Sequence, residues 1–80
     1  MRKPIIVPDL GCGNVVLKVW YVKPGEAVFP GDRLVELLLG NATFDLTADC
    51  WGRLAIQSAA ADERVAPGQI VGHLEPGEPD

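Results

Sequence analysis

The chain nearly repeats itself. Shifting the sequence by 37 positions places Leu17, Glu26, Val28, Pro30, Gly31 and Leu37 on Leu54, Glu63, Val65, Pro67, Gly68 and Leu74. Softer matches lie between them, with Val19 falling on Ile56 and Leu34 on Val71. Two copies of one unit within 80 residues are too few for a solenoid, which needs about three stacked repeats. The repeat therefore predicts one small domain whose halves pack face to face about a pseudo-two-fold axis. A chain of this length buries only about 60% of its unfolded surface, so modest stability is expected.

Short β-strands are predicted throughout. Val15-Val16-Leu17-Lys18-Val19-Trp20-Tyr21-Val22 is β-branched and aromatic, and Lys23-Pro24-Gly25-Glu26 stops it. Further strands are expected at Ile5-Ile6-Val7, Ala27-Val28-Phe29, Leu34 to Leu39, Ala42 to Ala48, Gly52 to Gln57, Arg64-Val65-Ala66 and Ile70 to Glu75. Eight short strands separated by turn signals indicate a sandwich or barrel. Ser58 to Asp62 has some helical propensity. Its repeat partner is the turn from Tyr21 to Gly25, so it is read as a turn. The domain is expected to occupy residues 1–75, leaving Pro76-Gly77-Glu78-Pro79-Asp80 as a flexible acidic tail.

The best-specified turn sits between the two halves. Gly40-Asn41 separates Leu37-Leu38-Leu39 from the alternating Ala42-Thr43-Phe44-Asp45-Leu46. Two strands joined by two residues want a primed turn, whose twist matches their own. Gly accepts positive φ without strain and Asn tolerates it.

Composition narrows the partners. Eleven acidic residues against seven scattered basic ones give a net charge of −4. Nucleic acid and anionic membrane ask instead for clustered Lys and Arg, so neither is expected. No stretch approaches the roughly 20 apolar residues of a membrane helix. Pro8 and Asp9 end the first apolar run too early for a signal peptide, which makes the cytoplasm the expected location. Cys12 and Cys50 are too few for a disulfide framework, and two free thiols are expected. Close Cys pairs and a supply of histidines are absent, His73 being the single one, so no metal site is expected.

These motifs in their order resemble the lipoyl and biotinyl carrier domains. The resemblance covers residues 4–75. It rests on Ile6-Val7-Pro8-Asp9-Leu10, Val22-Lys23-Pro24-Gly25-Glu26-Ala27-Val28, Gly31-Asp32-Arg33-Leu34, Ala42-Thr43-Phe44-Asp45-Leu46, Gly52 and Val65-Ala66-Pro67-Gly68. It implies an all-β fold: a flattened eight-stranded barrel or sandwich of two four-stranded antiparallel sheets with quasi-two-fold symmetry, the hammerhead-like carrier fold. In lipoyl carriers the central hairpin presents Asp-Lys-Ala and the lysine is acylated; biotinyl domains use Met-Lys-Met.

The chain departs from that pattern at its defining residue. Aligned on Ala42 and Thr43, Asn41 occupies the lysine position and Gly40 the preceding aspartate position. A carboxamide is not the amine nucleophile that acylation requires. Leu38 stands where lipoyl domains usually keep a glutamate. Lys3, Lys18 and Lys23 are the only lysines, and none lies in the hairpin. The attachment turn Gly40-Asn41-Ala42 is thus read as degenerate, with no cofactor.

Two functions follow as expectations. One is a non-catalytic interaction module on the carrier scaffold, with a protein partner or a homodimer in view. The other is a relic or accessory carrier domain of a 2-oxo acid dehydrogenase acyltransferase or a biotin-dependent carboxylase. An enzyme is not expected, because no Ser or Cys nucleophile has a base near it. Asp45 and Asp49, near the hairpin, read as solvated carboxylates, and Gly11-Cys12-Gly13-Asn14 as a strand connection rather than a phosphate loop. Trp20 reads as strand packing, His73 as an edge or surface histidine, and Trp51 as either core or rim. Because side chains alternate along a strand, Leu38 and Leu39 cannot both enter one core. At least one should be exposed beside the tip, and with Phe44 and the Cys12 turn would form the candidate interaction surface.

Overall fold

The computed structural model describes residues 2–11 and 13–77. The strands are short segments separated by turn residues, most of them apolar or alternating, with Glu63–Val65 largely charged. They are β1 (Lys3–Ile6), β2 (Val15–Trp20), β3 (Ala27–Val28), β4 (Arg33–Leu39), β5 (Ala42–Thr47), β6 (Gly52–Gln57), β7 (Glu63–Val65) and β8 (Ile70–Pro76). They form two four-stranded sheets, ordered β1-β8-β6-β3 and β5-β4-β2-β7, with every pairing antiparallel. This is the expected all-β architecture of two sheets.

The repeat is the symmetry of this fold. A 37-residue shift carries β2, β3 and β4 onto β6, β7 and β8, and so carries one sheet order onto the other. Four matched pairs supply much of the core: Leu17 and Leu54, Val28 and Val65, Leu34 and Val71, Leu37 and Leu74 are all buried. Burying one such side chain fully stabilises by roughly 1.5–3 kcal/mol, so the repeated positions contribute heavily to the packing. Val19 and Ile56 also match but lie outside. Each follows a bulge, between Leu17 and Val19 and between Leu54 and Ile56, and each is 37% exposed.

The matched polar residues build the turns. The Glu26 carboxylate accepts from Lys23 N–H at 3.0 Å, and the Glu63 carboxylate from Ala60 N–H at 3.1 Å. Gly31 and Gly68, each after a proline, take φ of 93° and 84°, a conformation that glycine adopts without strain. The segment 58–62 is a turn, as its repeat partner is.

Two features differ from the sequence reading, and a third settles an alternative that it left open. The last strand runs through Pro76, and Gly77 N–H donates to Trp51 O at 2.9 Å, so backbone pairing passes the expected boundary at residue 75. Glu78 to Asp80 lie outside the described residues. His73 is not on an edge: β8 is a central strand, and His73 is half-buried between Pro4 and Ile56. Its Nδ1 is buried without a hydrogen-bond partner. Trp51 is rim rather than core, 46% exposed and packed edge-on against Phe29 with ring centroids 4.9 Å apart.

Candidate functional site

The two-residue turn fixes the register of the central hairpin. Leu39 pairs with Ala42, Leu38 with Thr43, Leu37 with Phe44 and Glu36 with Asp45. Gly40 takes φ of 66° whereas Asn41 does not have positive φ. This is the sign pattern of a type II′ turn, so only the first residue needs the freedom of glycine, and Asn41 needs no tolerance of the left-handed region. Gly40, Asn41 and Ala42 are all exposed.

The three lysines sit elsewhere. Lys3 Nζ lies 2.6 Å from Asp49, just beyond the end of β5 remote from the hairpin. Lys18 Nζ is 3.2 Å from Asp62, and Lys23 belongs to the turn after β2. No lysine amine therefore stands at the exposed tip.

Leu38 and Leu39 face opposite ways, and both are half-buried rather than exposed. Leu39 shares a row with the buried Val15 and packs against the core. Leu38 lies on the outer face of its sheet, in a row with Val16 and Thr43. The exposed hydrophobic residue of the hairpin is Phe44, 41% accessible although its cross-strand partner Leu37 is fully buried. The difference arises because β5 is the edge of the sheet. Cys12 lies outside the described residues, so the structure does not place it with the other three. Cys50 is a half-buried free thiol.

A polar cluster on the outer sheet face escaped the sequence reading. Glu36 and Asp45 stand opposite each other on neighbouring strands, where like charges destabilise. Tyr21 Oη donates to Glu36 Oε2 at 3.2 Å and lies 3.5 Å from Asp45 Oδ1. The Arg33 guanidinium covers the Tyr21 ring at 4.5 Å and approaches Asp45 at 3.8 Å. Burial of the phenol raises its pKa, and the two carboxylates push it the same way against the opposing Arg33. The signal was available: once Gly40-Asn41 is the turn, Glu36 and Asp45 must face each other. Asp49 does not join Asp45: it lies beyond the end of β5 and pairs with Lys3. No group of three or more ligating side chains suited to a metal occurs among the described residues. No helix among them is long and apolar enough to cross a membrane.

Two twisted four-stranded sheets exchanged by a pseudo-two-fold, with an exposed central hairpin, define the lipoyl-domain fold. The solution structure of the lipoyl domain of the 2-oxoglutarate dehydrogenase complex from Azotobacter vinelandii superimposes with a TM-score of 0.77. It is 25% identical, over 92% of this chain and 98% of that domain. The chain is also 32% identical over 79 residues to the dihydrolipoyllysine-residue succinyltransferase component of the 2-oxoglutarate dehydrogenase complex from Rickettsia conorii. The corresponding Rickettsia bellii component is 32% identical over 80 residues. These matches cover 96% and 98% of this chain, which spans about a fifth of the length of the curated relatives. No family model matches the chain. The matches together support the lipoyl carrier domain family, and the shared fold is that of a carrier domain rather than a catalytic one.

Proposed function

We propose that this chain is a lipoyl-carrier-type domain that has lost its attachment site and acts as a non-catalytic interaction module. The observation that carries the reading is Asn41 on an exposed two-residue turn, where the resembled carriers present an acylated lysine. A carboxamide cannot form the amide bond to a lipoyl or biotinyl acid that a lysine amine forms. The sequence has no lysine between Lys23 and Asp80, so a shifted alignment does not restore one. The domain then holds no cofactor, and its role rests on a protein partner or a second copy in the cytoplasm. Intact-mass spectrometry of the protein from a lipoylation-competent host tests this. The unmodified mass is expected, and a lipoyl or biotinyl adduct overturns the reading.

The names of the relatives favour a second reading: an accessory or relic domain of a 2-oxo acid dehydrogenase acyltransferase, ahead of a biotin-dependent carboxylase. Such a domain still docks to that enzyme while carrying nothing. Binding measured against a purified 2-oxo acid dehydrogenase complex separates the two. Saturable binding supports the accessory role, and its absence leaves the independent module.

A further inference from the structure

The four sheet edges are not equally protected. An exposed edge offers unpaired N–H and C=O groups to any other strand, and proteins blunt it with shortness, charge, proline or bulges. β3 has two residues; β7 has three, of which Glu63 and Arg64 are charged. β1 carries Lys3, Pro4 and a bulge between Ile5 and Ile6. Among the described residues β5 alone is long and unguarded, with six residues, no proline, no lysine, and the exposed Phe44 near its middle. Its single charge, Asp45, alternates with Phe44 onto the outer face, beside Tyr21 and Arg33.

The hairpin register shows which backbone groups are free to pair. A two-residue loop makes Leu39 and Ala42 a hydrogen-bonded pair, and the antiparallel ladder alternates from there. Leu37 and Phe44 are again hydrogen-bonded, whereas Leu38 with Thr43 and Glu36 with Asp45 are not. The N–H and C=O groups of Thr43 and Asp45 therefore point away from β4, out of the sheet edge. At its far end β5 faces a small cleft against β1, lined by Leu46, Thr47 and Ile5 among others, which leaves 42–45 as the free stretch.

We infer that β5 pairs with β5 of a second copy, antiparallel about a two-fold axis at Phe44. This register is self-complementary. Thr43 of each copy meets Asp45 of the other, so that the outward N–H and C=O groups form four backbone hydrogen bonds. Each Thr43 hydroxyl faces an Asp45 carboxylate that accepts from it. Phe44 meets Phe44 as a non-hydrogen-bonded pair, the geometry that brings side chains closest. A shift of the axis to Asp45 would oppose two carboxylates instead. The contact is small, so association in the high micromolar range or weaker is expected. The inference deepens the interaction-module reading and rests on it for the choice of surface.

Amide hydrogen exchange of the whole, unmutated chain at micromolar and millimolar concentration tests the pairing. Thr43 and Asp45 should exchange freely when dilute and become protected when concentrated, while Phe44 stays protected throughout. Thr43→Pro removes an outward donor at a position where an edge strand tolerates proline, and should abolish that concentration dependence. In a Cys12→Ser, Cys50→Ser background, Phe44→Cys should cross-link between copies at least about tenfold faster than Phe29→Cys, since cross-strand contact there replaces chance collision. Phe29, 43% exposed, matches Phe44 in accessibility and controls for such collisions. Exchange at Thr43 and Asp45 that does not respond to concentration overturns the inference. So does protection that arises only with a different protein. An acyl adduct by mass would instead overturn the loss of the attachment site, whatever the exchange shows.

Discussion

Trp20 and Gln57 are the same position in the two halves, and each sends a side-chain N–H to the equivalent backbone carbonyl. Trp20 Nε1 donates to Ala59 O at 2.9 Å, and Gln57 Nε2 donates to Val22 O at 3.0 Å. The 37-residue shift that relates the donors also relates the acceptors. The chemistry is retained while the volume is not. The Trp20 ring occupies the space over Gly72, where an added Cβ would lie 2.9 Å from Cη2 and 2.5 Å from Ile56 O. The residue equivalent to Gly72 is the buried Val35.

Gly72→Ala should therefore cost about 2 kcal/mol or more, as overpacking in a well-filled interior does. Trp20→Gln, which copies the other half, removes the clash with the ring but not the one with Ile56 O. In urea denaturation, Gly72→Ala should cost about 1 kcal/mol less in the Trp20→Gln background than alone. Additive effects would show that ring and glycine do not share this space.

These residues mark where the sequence was legible. Leu17 and Leu54, or Gly31 and Gly68, declare the repeat because both halves solved one packing problem with one residue type. Trp20 and Gln57 hide it, because a hydrogen bond to a carbonyl can be made by unlike side chains. The hairpin was readable because a two-residue turn is a local device. Strand order is not local, so the central placement of His73 was missed. Half-burial at Leu38 was missed too, since it depends on the neighbouring Val16 and Thr43.

The turn predicts opposite tolerance at its two positions. Gly40→Asp places a side chain at φ of 66°, and although an added Cβ meets nothing within 4 Å, the backbone strain should cost about 1 kcal/mol. Asn41→Lys sits on an exposed residue outside the positive-φ region and should change stability by less than about 0.5 kcal/mol. Thermal unfolding of the two single variants checks the difference. Equal losses would mean that the turn is not type II′.

Leu38 and Leu39 should respond differently to charge. Leu39→Glu drives a carboxylate toward Val15 and the core, and should cost about 2–4 kcal/mol. Leu38→Glu lies on the outer face beside Thr43 and should cost about 1 kcal/mol or less. Denaturant midpoints at constant m-value decide this. A larger loss at Leu38 would reverse the facing assigned to the strand.

The Lys3–Asp49 ion pair makes a pH-dependent link between β1 and the segment after β5. The hydrogen bond from Lys3 is the largest influence on Asp49 and lowers its pKa below the ordinary 3.8; burial opposes it. A carboxyl whose folded pKa is depressed contributes stability that is present above its unfolded pKa and is lost as the pH falls through the folded one. Lys3 is shifted the other way, upward from 10.5, chiefly by the hydrogen bond to Asp49. Its contribution is complete below the unfolded value and is lost as the pH rises through the folded value. The pair therefore acts across the whole interval between these limits. Both side chains are largely exposed, so solvent and salt screen the gain and only a small effect is expected. An NMR titration should find the Asp49 carboxyl midpoint below the ordinary value and returning toward it in Lys3→Met. A midpoint unchanged by that substitution would show that Lys3 does not hold Asp49.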